Sequence, residues 1–310
     1  MKRVIVTGAN GFIGSSLIIK LIENEIDVLA IDLSFSTSKL PQSKYIKTLE
    51  MSIHNISEIE TLFENGHYEA FYHLAWNGVN GPNKGNIDIQ IHNIELAVKC
   101  ATTAKNIGCK KFLCAGTIAE QIVKSIPLLT VTNSGMMYGV AKECTHLLLE
   151  TFCKNISLDL IWMQFSNIYG PRNMTGNLIS YTINELVNNR YASFGPSQQP
   201  YDFIFADDLI EAIYRIGHLE TYNNFYYIGS GQPKLLKEYL EIVGKIYGNP
   251  DLIKIGARQD DGIKYDYSMF DNSALVQDIG NYVTMSFEEG IQRTLKAFVC
   301  KSINDIANKV

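Results

Sequence analysis

Val4-Ile5-Val6-Thr7-Gly8-Ala9-Asn10-Gly11-Phe12-Ile13-Gly14 sets three glycines at intervals of three between a β-branched run and a helical pattern. Gly8 lets the chain turn sharply out of the strand, Gly11 lets the backbone approach a pyrophosphate, and Gly14 lets the helix pack closely on a sheet. The pyrophosphate then lies at a helix N-terminus, where free N–H groups and the helix dipole favour negative charge. A glycine trio can also be a tight turn with no ligand, so the context decides. A second strand, Val28-Leu29-Ala30-Ile31, ends in Asp32, near the offset at which an acid accepts both ribose hydroxyls of a dinucleotide. Gly8, Asn10, Gly11, Phe12, Ile13, Gly14 and Asp32 are therefore the candidate cofactor residues. A carboxylate at Asp32 repels a 2′-phosphate and no arginine lies between it and Lys39, so NAD(H) is favoured; Lys39 and Lys44 leave NADP(H) open.

Composition bounds the rest. With 310 residues and 46% hydrophobic content the chain can bury a large core without a covalent staple. A net charge of −5 and the lack of a basic run argue against nucleic acid as a partner. Cys100, Cys109, Cys114, Cys144, Cys153 and Cys300 form no Cys-x-x-Cys pair and have no histidine at zinc spacing, so no metal is expected. They read as thiols of a reducing cytosol. A strand entered at Arg3 or Val4 leaves no room for a signal peptide, and no stretch is apolar enough to span a membrane, so a cytoplasmic protein is expected.

Strand-like and helix-like patterns alternate through the first half, which predicts an α/β fold with a doubly wound parallel sheet. Strands are expected near 3 to 7, 27 to 32, 44 to 48, 70 to 75, 110 to 116 and 159 to 166. Helices are expected near 13 to 24, 57 to 65, 88 to 107 and 136 to 154. Beyond about residue 167, Gly170-Pro171, Gly195-Pro196 and Gly229-Ser230-Gly231 punctuate shorter elements. Helices there are expected near 175 to 189, 207 to 217, 234 to 247 and 286 to 299. The division is a Rossmann domain over 1–167 and a smaller C-terminal α/β substrate-binding lobe over 168–310, some of whose segments return to the first domain.

Among seventeen tyrosines only Tyr138 is followed four residues later by lysine, Lys142, which puts both on one helix face. An ammonium beside a phenol favours the phenolate, and is expected to bring the tyrosine down from about 10 toward working pH for acid/base work. Such a pair is elsewhere often a solvated helix face. Here it follows the fifth strand, which delivers Thr117 to its carboxyl end. Hydroxyl, phenol and ammonium together suit hydride transfer at a carbinol carbon, whereas Gly-x-Ser-x-Gly and His-Glu-x-x-His are missing.

With these residues the chain resembles the extended short-chain dehydrogenase/reductase family, in particular its nucleotide-sugar epimerases, dehydratases and 4-reductases. The resemblance runs through Thr7 to Gly14, Asp32, His73-Leu74-Ala75, Thr117, Tyr138 to Lys142, Asn167-Ile168-Tyr169-Gly170-Pro171, Asp202 to Leu209, Tyr227 to Gly231 and Ser286 to Gly290. It implies a Rossmann fold carrying NAD(P) and a lobe gripping the diphosphate of a sugar nucleotide. It further implies that Tyr138 moves the C4 hydroxyl proton, Thr117 bonds O4, Lys142 holds the nicotinamide ribose, and Asn167 contacts the sugar or its phosphates. Leu74 and Ala75 would line the cofactor channel. Arg258 is the candidate diphosphate contact, or else a surface arginine.

Departures narrow the reaction. Dehydratases of this type usually follow the threonine with Asp-Glu, but Ile118-Ala119 follow Thr117. Epimerases commonly carry arginine where this chain has Tyr201, and Ser52 stands where an adenine-side acid is usual. Ala115 to Glu120 and Ala75-Trp76-Asn77-Gly78 look more like the 4-ketoreductases that finish CDP- or dTDP-linked 6-deoxyhexoses. A 4-epimerase with tightly bound NAD is the alternative, and a non-catalytic cofactor-binding regulator a third reading that the retained Tyr138 and Lys142 oppose. The helices near 88 to 107 and 136 to 154 resemble a dimerisation pair, so a homodimer is expected; Ile94, Ala97, Val98, Ala101 and Ala104 fit a packed face, although core burial within one subunit gives the same pattern.

Overall fold

The computed structural model describes residues 1–38, 40–62, 67–129, 132–173, 176–260 and 262–307; Lys39, invoked above for NADP(H), and Asp261 lie outside them. The first half is β1 (Arg3–Thr7), α1 (Phe12–Glu23), β2 (Asp27–Asp32), β3 (Ile46–Glu50), α2 (Ile59–Leu62), β4 (Ala70–His73), α3 (Ile87–Asn106), β5 (Lys111–Thr117), α4 (Met136–Asn155) and β6 (Asp159–Phe165). The second half is β7 (Asn167–Tyr169), α5 (Leu178–Val187), β8 (Ala192–Ser193), β9 (Pro200–Tyr201), β10 (Phe203–Phe205), α6 (Ala206–His218), β11 (Phe225–Ile228), β12 (Lys234–Leu235), α7 (Leu236–Tyr247), β13 (Ile253–Lys254), α8 (Ser273–Ile279) and α9 (Phe287–Ala307).

Seven parallel strands form the main sheet in the order β11-β6-β5-β4-β1-β2-β3. Val4, Ile5 and Val6 are all fully buried, because helices cover both faces of the sheet. Val4 and Val6 pack with Leu17, Ile18 and Leu21 of α1 and Leu209, Ile213 and Ile216 of α6. Ile5 points the other way, into Ala97, Cys100, Ala101 and Ala104 of α3 and Leu149 and Cys153 of α4. Each such aliphatic side chain contributes about 1.5–3 kcal/mol by leaving water. The strand order reverses at β1, between β2 and β4, and a crevice opens there at the carboxyl ends of the strands.

A third core gathers Tyr169, Ile179, Ile183, Phe203, Tyr239, Leu240 and Ile291, all from beyond residue 167. The short pairs β7–β10, β8–β13 and β9–β12 surround it. The two halves interlock, since β11 forms the sheet edge beside β6 and α6 packs on α1.

The sequence reading differs from the structure in places. The third strand begins at Ile46 rather than 44, and the fourth ends at His73. The helix expected over 57 to 65 is a 3-10 turn, Ile53–Glu58, leading into four α-helical residues, and 63–66 lie outside the described residues. The 3-10 segment Ile118–Leu128 was not foreseen. Of the two readings of the packed face of α3, the structure takes core burial: Ala97, Ala101 and Ala104 are fully buried inside the subunit. The apolar residues that α3 and α4 turn outward are Ile87, Ile91, Leu147 and Leu148, each more than half exposed.

Candidate functional site

The crevice is a cleft of about 740 Å³. At one end lie Gly8, Gly11, Phe12, Ile13, Gly14 and Asp32, with Leu74 and Ala75 beside them. Gly8 takes φ +69, and a Cβ there would lie 2.8 Å from the Ala75 nitrogen. A Cβ at Gly14 would lie 2.1 Å from the Gly8 carbonyl oxygen, so α1 approaches the turn only because that position is bare. The Asp32 carboxylate is aimed by two backbone donors, Asn10 N at 2.8 Å and Leu33 N at 2.7 Å. Asn10 does not line the cleft; its side chain braces the loop by donating to the Ser34 carbonyl at 2.9 Å. Met51, Ser52, Ile53, His54, His92 and Leu96 complete this end, and the described lysines of the lining, Lys84 and Lys142, are not at it. Lys44 instead sits over the Tyr45 ring at 4.7 Å, outside the lining. His73 faces the Thr7 hydroxyl at 3.0 Å, and burial holds its imidazole down at about 3, hence neutral.

Thr117, Tyr138 and Lys142 come together in the middle of the cleft. Thr117 ends β5 and caps the following 3-10 turn, its Oγ1 accepting from Ala119 N at 3.3 Å and its N–H donating to Glu120 Oε1 at 2.6 Å. Its hydroxyl is also a hydrogen-bonding partner of the Tyr138 phenol. One expectation is overturned here. Lys142 does not bring Tyr138 down: burial first, then the Glu120 charge, lifts the phenol well above its ordinary value, against the pull of Thr117. The ammonium is committed elsewhere, donating to the Ala115 carbonyl at 2.6 Å and lying 3.7 Å above the Trp76 ring. Burial pushes Lys142 itself below the ordinary lysine range. The phenol is consequently in its protonated form across the neutral range.

Glu120 was not among the expected residues. Besides Thr117 N it accepts from Trp162 Nε1 at 3.0 Å and Gln164 Nε2 at 2.9 Å, and burial still raises its carboxyl above the usual range. Glu120, Glu143 and His146 bring ligand-type atoms within 4.8 Å of one another, but these N–H donors already occupy Glu120. Trp76 and Asn77, read above as reductase-like, do line the cleft. Trp76 meets Tyr138 edge-on at 6.3 Å, and Asn93 clamps the Asn77 backbone by accepting from its N–H at 3.0 Å and donating to its carbonyl at 2.8 Å.

The far end is lined by Asn167, Asn173, Asn177, Leu178 and Phe203. Asn167 lines it while donating its amide to the Asp202 carbonyl at 3.1 Å. Asp202 itself is a buried staple, accepting from Tyr227 OH at 2.7 Å and Gly231 N at 3.3 Å. Arg258 is not brought into the cleft: it stacks on Tyr181 at 5.1 Å and donates to that hydroxyl at 2.7 Å. Tyr181 belongs to α5, the helix whose cap, Asn177, does reach the lining. No helix among the described residues is long and apolar enough to cross a membrane.

The sequence model of the NAD dependent epimerase/dehydratase family matches residues 4–229. A dTDP-4-dehydro-6-deoxyglucose reductase of Escherichia coli is 25% identical, over 96% of this chain and 98% of its own. A CDP-abequose synthase of Salmonella muenchen is 24% identical, over 95% and 97%. The solved structure of a UDP-glucuronic acid 4-epimerase from Bacillus cereus in complex with NAD superposes with a TM-score of 0.77 at 21% identity, covering 98% of each chain.

Proposed function

Because the chain belongs to the NAD-dependent epimerase/dehydratase family, we propose that it is an NAD(H)-dependent sugar-nucleotide oxidoreductase acting at C4. In this reading it reduces a CDP- or dTDP-linked 4-keto-6-deoxyhexose, with Tyr138 as general acid. The observation that carries the reading is that the Thr117 hydroxyl, the Tyr138 phenol and the Lys142 ammonium line one cleft with the glycine turn and Asp32, at the carboxyl ends of the strands. A ketone reduction consumes one proton at the oxygen, and a protonated phenol is the form that can give it.

The residues fit a dinucleotide. The bare Gly8–Gly14 approach leaves the α1 N-terminus open to a pyrophosphate, and Asp32 presents an oriented carboxylate to ribose hydroxyls. The lack of a cation among the described lining residues near Asp32 favours NAD(H) over NADP(H). When bound, NADH supplies the hydride for C4. Thr117 would hold O4 within reach of the phenol, Tyr138 would hand its proton to O4 and recover one from solvent, and Lys142 would move from Trp76 and Ala115 to the nicotinamide ribose. Asn167 would meet the sugar or its phosphates, and Arg258 would have to leave Tyr181 to reach the diphosphate. Residues 1–167 would carry the cofactor and 168–310 the substrate, with α6 and β11 returned to the first part.

Dehydration is disfavoured because Asp32 is the sole carboxylate among the described lining residues, and it stands at the wrong end to eliminate water from a sugar. The six cysteines are free, and burial lifts Cys109 and Cys114 to about 12, which suits a reducing cytoplasm. We place a homodimer contact on Ile87, Ile91, Leu147 and Leu148; light scattering that finds a monomer at micromolar concentration refutes it.

The deciding experiment follows nicotinamide absorbance with NADH or NADPH and a panel of 4-keto-6-deoxyhexose nucleotides. Stoichiometric loss with one of them is expected. No loss with any, together with interconversion of C4 epimers by protein that retains NAD, would establish the epimerase instead.

A further inference from the structure

We propose that Lys84 is a substrate-contacting residue of the sugar end of the cleft, its ammonium donating to an acceptor oxygen on the hexose ring beside the carbon that Tyr138 serves. The inference rests on the sugar-nucleotide reading of the cleft. Lys84 lines the cleft from the 3-10 turn Pro82–Gly85, in the connection between β4 and α3. Its Nζ lies 5.3 Å from the centre of the Tyr138 ring. Among the described residues it makes no ion pair, and burial alone pushes its pKa below the ordinary lysine value. A partly buried ammonium without a carboxylate costs free energy unless something supplies an acceptor. The other lysine in the cleft, Lys142, is already committed to Ala115 and Trp76.

The placement of Lys84 is built, not incidental. Gln90, 1% exposed, donates its amide to the carbonyls of Gly78 at 3.0 Å, Asn83 at 3.3 Å and Lys84 at 3.4 Å, and accepts from Trp76 Nε1 at 3.0 Å. Asn86 caps α3 by accepting from Ile89 N at 3.1 Å, which fixes where the turn ends. A Cβ on Gly85 would lie 2.5 Å from the Ser134 side chain, so this turn is pressed against the segment that leads into α4 and Tyr138. The lysine stem runs beside Gly135, its Cδ 3.7 Å from where a Cβ would stand. The rival account is a cation packed on the Tyr138 face for its own sake, a contact that needs no opening to the cleft and stabilises only weakly when exposed.

The test uses the full chain loaded with NAD⁺, so that the 4-keto ligands bind without being reduced. Calorimetry measures CDP- and dTDP-4-keto-6-deoxyglucose and UDP-glucose against CDP, dTDP and UDP alone, for wild type, Lys84→Met and Lys84→Arg. Methionine keeps the stem and removes the charge. Lys84→Met should bind the preferred sugar nucleotide about 10- to 100-fold more weakly, the range for a hydrogen bond to a charged group. Its affinity for the bare nucleoside diphosphate and for NADH should be unchanged, and Lys84→Arg should recover part of the loss. An equal loss for the bare nucleoside diphosphate, or none for any sugar nucleotide, overturns the assignment. A wild type that binds none of the sugar nucleotides overturns the reading of the cleft, and this inference with it.

Discussion

Replacing Gly14 by alanine tests the central claim about the turn that opens the fold. The new Cβ would sit 2.1 Å from the Gly8 carbonyl oxygen and 2.9 Å from its carbon, where ordinary contact begins at 3.4 Å. The obstacle is backbone in a turn already at φ +69, so no rotamer can relieve it. Either α1 withdraws by about 1.3 Å (3.4 minus 2.1) or the turn deforms. Alanine returns about 1 kcal/mol of helix propensity, while overpacking costs typically 1–3 kcal/mol and more against rigid atoms, leaving a net loss of roughly 2 kcal/mol. For a chain of 310 residues that is a fall in Tm of about 3 °C. NADH affinity should fall about tenfold or more, the cost of one misplaced charge-assisted hydrogen bond at the α1 N-terminus. Gly11→Ala is the internal control for stability: its Cβ would meet the Gly8 oxygen at 3.1 Å, a clash that tenths of an ångström relieve. Thermal unfolding and NADH titration of both variants provide the check. A Gly14→Ala protein with unchanged Tm and NADH affinity within twofold of wild type would refute the close-approach argument.

Further outcomes follow from the site. Tyr138→Phe should bind NADH normally and lose about 10²- to 10⁴-fold in kcat; equal turnover in both proteins would remove Tyr138 from the mechanism. Because its pKa is raised and the protonated form donates, reductive turnover should show no loss from this group through neutrality and should decline only on the alkaline side, as a pH–rate profile will show. His73 is held neutral in the fold, from 6.5 down to about 3, so its stability contribution is intact above 6.5 and is lost as pH falls toward 3, at up to about 1.4 kcal/mol per pH unit. Denaturant melts of His73→Asn should show a shallower acid limb, and an unchanged limb would clear His73 of that role. Asp32→Ser should raise NADPH affinity relative to NADH by on the order of tenfold, since a carboxylate facing a 2′-phosphate is removed; an unchanged ratio in competitive titrations would mean that Asp32 does not face that position.

Features dictated by covalent structure were readable in the sequence. Only glycine leaves the space that Gly8 and Gly14 require, and a strand ending in Asp32 fixes where that carboxylate emerges. Thr117, Tyr138 and Lys142 share a cleft for the same reason, because strand ends and the i, i+4 spacing do not depend on loops. Proton affinity was not readable: it depends on how deeply Tyr138 is buried and on where the Lys142 ammonium finds partners. Glu120 had left a signal, since Thr117-Ile118-Ala119-Glu120 is the pattern of a capping box, and the structure forms one. Lys84 and Asn177 sit in connections with no periodicity, and Arg258 follows the packing of α5 through Tyr181. Amphipathic spacing in α3 identified a packed face without saying whether it packs inward, and Ala97 and Ala101 show that it does.

The place of β11 in the sheet governs how the chain can be made. Leu160, Ile161, Trp162 and Met163 of β6 have emerged from the ribosome about 60 residues before Phe225 arrives to pair with Trp162, an interval of several seconds at ordinary rates of synthesis. During that time the sheet ends in an open, apolar edge, the kind of surface on which chains pair wrongly with one another. A fragment cut after residue 167 would keep the glycine turn, Thr117, Tyr138 and Lys142 and yet carry that edge permanently. The chemistry is encoded early in the chain, but the protection that keeps it in solution is encoded late.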